Sequence, residues 1–193
     1  MGTLASKANQ SQKILWTAFH CLSSKGYANV SMRDIAEEAG VALSQLNYHF
    51  KTKEGLYMEV IRMMMQQFLL EVDEELKSVA DSKEKIGSLI GYFNRLLRKR
   101  TELFRLFLDF TAQSIWVPNF KSLLKELFQN LSEIIEKHIL TDENMNGRRE
   151  QYSPKSLSKL ILGALYGTSV QILLEFEEEH DFASLDLVEM IVT

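Results

Sequence analysis

The stretch SMRDIAEEAGVALSQLNYHFKTKEGLY, residues 31 to 57, decides the fold of this chain. It reads as two short helices across a glycine turn, then the start of a third. Ser31 suits an N-cap, and Asp34 can complete a capping box at the positive end of that helix. Ile35, Ala36 and Ala39 give the helix an apolar face, with Ala36 small enough for another helix to approach closely. Gly40 can take the left-handed conformation that stops a helix, and Val41 plugs the corner. Leu46 and Phe50, one turn apart, anchor the second helix to a core. Leu43, Ser44, Gln45, Asn47, Tyr48 and His49 are left to face outward. This is the layout of a helix-turn-helix, whose second helix enters the DNA major groove.

The outward residues divide by chemistry. Leu43, Ser44, Gln45 and Asn47 are placed to face base edges, where Gln and Asn can each pair bidentately with adenine and Leu43 can touch a thymine methyl. Tyr48, His49, Thr52 and Lys53 suit phosphate contacts, which position the helix without reading sequence. Arg33, near the start of the preceding helix, can reach backbone or base, and Ser31 beside it is a further candidate contact.

The segment resembles the DNA-binding domain of the TetR family of bacterial transcriptional regulators. Ile35-Ala36-x-x-Ala39-Gly40-Val41, Leu46 and His49-Phe50-x-x-Lys53-Glu54-x-Leu56 carry the resemblance. Upstream, Ile14, Leu15, Ala18, Phe19 and Leu22 form an apolar stripe, followed by Gly26-Tyr27 and Ser31. The patterned match spans residues 12 to 57, under a third of the chain. Many members carry Gly or Pro where Ser44 stands and an aromatic residue where Asn47 stands, so the reading surface departs from the family's common pattern.

Composition agrees. The chain has 193 residues, 46% of them apolar, and two prolines, Pro118 and Pro154. Apolar residues recur at three and four almost throughout, which predicts an all-α protein. The expected organisation is an arm and helix-turn-helix domain over residues 1–57, then a helical effector-binding and dimerisation domain over 58–193. Residues 1–57 carry six Lys or Arg and four Asp or Glu, net +2, leaving 16 basic and 22 acidic residues, net −6, in the remainder. A mildly basic head on an acidic body suits one end presented to phosphates. Cys21, the single cysteine, excludes an internal disulfide and fits a reducing cytoplasm as a buried thiol. Four scattered histidines lack metal-ligand spacing, and no cofactor or metal is expected. No catalytic pattern is present, so an enzyme is not expected. The polar start, MGTLASKANQSQ, reads as a flexible arm rather than a signal peptide.

Beyond the head, one long helix is predicted from Thr52 to about Val79, and another from Ser82. Two more cover roughly 101 to 115 and Pro118 to Leu140, with Arg98-Lys99-Arg100 as an exposed turn between helices. The segment 141 to 153 is the best candidate loop, and the acidic cluster 175 to 181 reads as solvated surface. Ser153-Pro154 restarts a helix to about residue 178, and a last one covers 184 to 193. Residues 160 to 174, LILGALYGTSVQILL, are uncharged but short of the roughly 20 residues that span a bilayer. Leu160, Gly163, Ala164, Gly167 and Val170 fit a close helix-packing face instead, and the resemblance implies that this face pairs two subunits into a homodimer without a membrane.

The resemblance also implies a small-molecule effector in the bundle and release from a palindromic double-stranded DNA operator. Met64, Met65, Phe68, Phe93, Phe104, Phe107, Phe110, Gln113 and Trp116 are candidate lining residues, suited to an apolar or aromatic ligand. The same residue types also serve any helical core. Alternatives are a TetR-like activator and a helical protein-binding adaptor without ligand response.

Overall fold

The computed structural model describes residues 2–81, 84–140, 151–175 and 183–191. These residues are helical, without strands. In chain order they form α1 (Gly2–Lys25), α2 (Met32–Ala39), α3 (Leu43–His49), α4 (Lys53–Ser78), α5 (Lys85–Lys99), α6 (Thr101–Ser114), α7 (Pro118–His138), α8 (Pro154–Leu174) and α9 (Ala183–Asp186), the last running into a 3₁₀ turn over Leu187–Ile191. The expected arm is instead the first part of α1, whose residues include no Pro or Gly after Gly2 to interrupt a helix. Ser82, most of the candidate loop and most of the acidic cluster lie outside the described residues.

The chain divides into two compact units. One comprises residues 1–66 and 102–123, the other 67–101 and 124–193. In the first, Ile14, Ala18 and Leu22 of α1 are buried with Ile35, Ala36 and Ala39 of α2 and Leu46 of α3. Cys21 is a buried free thiol, and burial pushes its pKa up. An aromatic cluster holds α4, α6 and α7 in this unit: Tyr57 lies 5.9 Å from Phe110 and 5.2 Å from Phe120, edge-on to both, with Tyr27 stacked on it at 4.6 Å. Such pairs add to the burial of large apolar rings.

In the second unit, carboxylates of α4 are tied to its other helices. Glu71 accepts from the Tyr92 hydroxyl at 2.6 Å and from Arg100 at 2.8 Å. Arg100 therefore follows α5 as a paired side chain rather than as part of a free basic turn, while Arg98 and Lys99 belong to the last turn of α5. Glu75 bonds Ser88 at 2.7 Å and Arg95 at 2.7 Å, and Asp73 bonds His138 at 2.8 Å as well as Lys77. The Ser153 hydroxyl accepts from Ser156 N at 3.2 Å, capping α8 with Pro154 in its first turn.

Candidate nucleic-acid interface

The helix-turn-helix begins with a complete cap. Ser31 Oγ accepts from Asp34 N at 3.2 Å, and Asp34 Oδ2 accepts from Ser31 N at 2.7 Å. The Ser31 hydroxyl also donates to Asp34 Oδ2 at 2.7 Å. The hydroxyl bond first, then the backbone bond, holds the Asp34 carboxyl below the usual carboxylate range. Ser31 is exposed, and its hydroxyl proton and a lone pair serve the α2 cap. Arg33, one residue into α2, is exposed as expected of a contact.

α2 ends in a Schellman motif. Gly40 has φ 65°, its N–H donates to Glu37 O at 3.0 Å, and Val41 N donates to Ala36 O at 2.9 Å. The chain then turns into α3, pinned by Leu46 (0% exposed) and by Phe50, which is also buried. With those anchors inward, Ser44, Gln45, Asn47 and Tyr48 (72% exposed) share the outer surface, while Leu43 and His49 are half-buried. Tyr48 and His49 meet edge-on at 5.5 Å.

One of these side chains already has work inside the protein. Ala42, the N-cap of α3, has no side-chain oxygen, and its backbone N–H donates to Gln45 Oε1 at 3.1 Å. A backbone N–H can only donate, so the amide atom facing it is the oxygen. Thr52 caps α4 in the usual sense, its Oγ1 accepting from Gly55 N at 3.0 Å, and the hydroxyl proton remains available for a phosphate. A Cβ at Gly55 would lie 3.2 Å from that oxygen, so the glycine keeps the cap uncrowded. Lys53 is less available than its place in the sequence suggests. Its ammonium sits 4.2 Å from the centre of the Tyr27 ring, and burial lowers its pKa against the opposing pull of Asp109.

Sequence reading missed a second feature of this unit. Tyr27 N donates to Asp109 Oδ2 at 2.7 Å, tying the corner after α1 to α6. Asn119 Nδ2 donates to Glu54 Oε1 at 2.9 Å, tying the start of α7 to the start of α4. The Tyr57 hydroxyl, inside the aromatic cluster, is buried with no hydrogen-bond partner among the described residues. Burial raises its pKa, with Asp109 and Tyr27 adding to the effect. The signal for Asp109 was its position as the one acid inside the apolar run LFLDFTAQSIW.

The effector candidates scatter. Phe68 and Phe93 meet edge-on at 6.1 Å in the second unit, whereas Met64, Met65, Phe104, Phe107, Phe110, Gln113 and Trp116 belong to the first. Phe110 is spent in the aromatic cluster, and the Gln113 amide reaches Asp109 at 3.5 Å. Trp116 is corrected as an interior residue: it stands 82% exposed at the end of α6. On α8, Leu160 (55% exposed), Gly163 and Leu174 (78% exposed) lie on the surface, with Ala164, Gly167 and Val170 half-buried. Among the described residues nothing stands within 4 Å of a Cβ built at Gly163 or Gly167, so there is open space over both glycines. By length and composition alone α8 could also cross a membrane, and a third of its apolar window (33%) is buried within the protein.

Residues 14–60 match the model of the family described as bacterial regulatory proteins, tetR family. Over this segment the chain is similar to the DNA-binding part of TetR-family regulators. It is similar to the fatty acid metabolism regulator protein of Bacillus subtilis, 22% identical over 189 residues, covering 94% of this chain and 93% of that protein. Among solved structures it resembles the Bacillus subtilis regulator FadR in complex with stearoyl-CoA, with TM-score 0.76 and 20% identity over 94% of this chain and 97% of that one. It also resembles a transcriptional regulator from Streptomyces coelicolor, with TM-score 0.77 and 23% identity over 95% and 98% of the two chains. The TetR-family match covers α2, α3 and the start of α4, where the outward face of α3 is built.

Proposed function

We propose that this chain is a homodimeric, TetR-like repressor that binds a palindromic operator through α3 and is released by a long-chain acyl thioester held in its helical body. The carrying observation is the α3 surface: exposed Ser44, Asn47 and Tyr48 stand over the buried anchors Leu46 and Phe50. A rigid helix with polar side chains on its outer face can present them to base edges.

One such helix touches few base pairs, so site selection calls for two. The α8 face, apolar at Leu160 and Leu174 and open at Gly163 and Gly167, suits pairing with a second copy. A two-fold dimer would set two reading helices about one DNA turn apart, roughly 34 Å. The acyl class rests on likeness to the Bacillus subtilis fatty acid regulator along nearly the whole chain. Apolar side chains such as Phe68 and Phe93 offer the matching chemistry for an acyl tail.

Release follows from linkage: a ligand shifts two states only by its difference in affinity for them. Asp109 on Tyr27 and Asn119 on Glu54 are candidate carriers of the shift, since they join α6 and α7 to the head. The test is operator retention at fixed salt with and without stearoyl-CoA. The reading expects release at saturating ligand, whereas an affinity unchanged with ligand demonstrably bound rejects the acyl-responsive mechanism. Promoter output in cells lacking the protein should rise, and a fall would make the protein an activator.

A further inference from the structure

We infer that Tyr27 is a positioning residue for DNA binding: its ring holds the Lys53 ammonium at the start of α4 for a phosphate contact. The inference rests on the DNA-binding reading above and deepens it, from the face of α3 to the corner after α1.

Tyr27 is fixed from several sides. Gly26 takes φ 78° and its N–H donates to Leu22 O at 2.9 Å, which ends α1 and turns the chain. Tyr27 N then donates to Asp109 Oδ2 at 2.7 Å. Its ring stacks on Tyr57 at 4.6 Å and meets Phe120 edge-on at 5.9 Å. Both of those partners are fully buried, so the ring rests on packed core rather than on mobile surface.

Lys53 stands four residues before Tyr57 on α4, one turn away on the same face of the helix. The Tyr27 ring therefore serves both: it stacks on Tyr57, and its centre lies 4.2 Å from the Lys53 ammonium. A lysine stem is flexible, and a phosphate contact must otherwise order it at the moment of binding. Attraction to a ring face narrows where the ammonium can reach without using up its donors. Glu54, the acid beside Lys53, is turned to Asn119 at 2.9 Å. Lys53 also directly follows Thr52, whose hydroxyl proton can serve the same phosphate. The ring thus places a cation before DNA arrives, which lowers the ordering cost of a contact that positions without reading sequence.

The experiment measures the affinity of the full-length protein for a selected operator and for a scrambled duplex over a range of salt. Wild type, Tyr27→Phe, Tyr27→Leu, Lys53→Met and the double variant Tyr27→Leu/Lys53→Met are compared, each well below its melting temperature. Lys53→Met should lower the salt slope of log affinity by about 0.9, the share of one phosphate, on both duplexes alike. The inference expects Tyr27→Leu to move the slope most of the way to that value. Tyr27→Phe, which keeps the ring, should keep the wild-type slope. In the Lys53→Met background, Tyr27→Leu should cost no further affinity. An equal cost of Tyr27→Leu with and without Lys53 overturns the inference, because a merely structural role gives that result. So does a loss in Tyr27→Phe that matches Tyr27→Leu, or a wild-type slope in Lys53→Met. A wild type that retains neither duplex would instead remove the DNA-binding reading itself.

Discussion

α2 and α3 are neighbours of nearly equal length with opposite economies of polar groups. At α2, Ser31 and Asp34 satisfy each other in a closed loop, and a Schellman turn at Gly40 closes the far end. At α3, the N-cap is an alanine, the cap is made by Gln45 alone, and the side chains of Ser44 and Asn47 stand exposed. The difference teaches that a helix whose polar groups are internally closed serves as a support. One that leaves them open is equipped to read. α2 positions, and α3 presents.

The strongest way to break this comparison is to exchange the roles of buried and open residues. Leu46→Ala removes a fully buried anchor and should cost about 2–5 kcal/mol in urea unfolding. Asn47→Ala, one residue away and exposed, should change stability by less than about 0.5 kcal/mol. Similar costs for the two would mean that α3 is not anchored as described.

A smaller effect belongs to the turn between the helices. Among the described residues Gly40→Ala meets no atom within 4 Å of the new Cβ, so the cost comes from forcing a side chain to φ 65°. About 1–2 kcal/mol is expected by thermal or urea unfolding. A neutral substitution would contradict the left-handed corner.

The caps themselves separate more gently, and pH sharpens the contrast. Ser31→Ala should cost about 1 kcal/mol, the usual loss for an N-cap. The Asp34 pKa is lowered in the folded chain, so its contribution is present above the unfolded carboxylate value and is lost as pH falls through the folded one. By NMR, the Ser31 amide should titrate with a midpoint below the ordinary aspartate value of about 3.9. The Ala42 amide, bonded to an uncharged glutamine, should show no titration of its own. A Ser31 midpoint at or above the ordinary value would refute the box.

These helices were legible in the sequence because their determinants are local. Ser31, Asp34 and Gly40 act within a few residues of themselves, and the spacing of Ile35, Ala39, Leu46 and Phe50 shows which face is buried. Gln45 was legible as an outward residue but not as a cap, because its role follows from Ala42 lacking an oxygen. Asp109 lies 82 residues from the Tyr27 N–H that it accepts, and no local pattern announces such a pairing. Pocket and core roles could not be told apart for a related reason: aromatic and methionine side chains look alike in sequence whether they fill a core, as Phe110 does, or stand in solvent, as Trp116 does.

The central claim is that the open face of α3 reads DNA. Its most direct test is the affinity of Ser44→Ala/Asn47→Ala for a selected operator and for a scrambled duplex, at one salt concentration. The account predicts at least about a tenfold loss on the operator, little change on the scrambled duplex and an unaltered melting temperature. Equal discrimination by the variant and the wild type would contradict it.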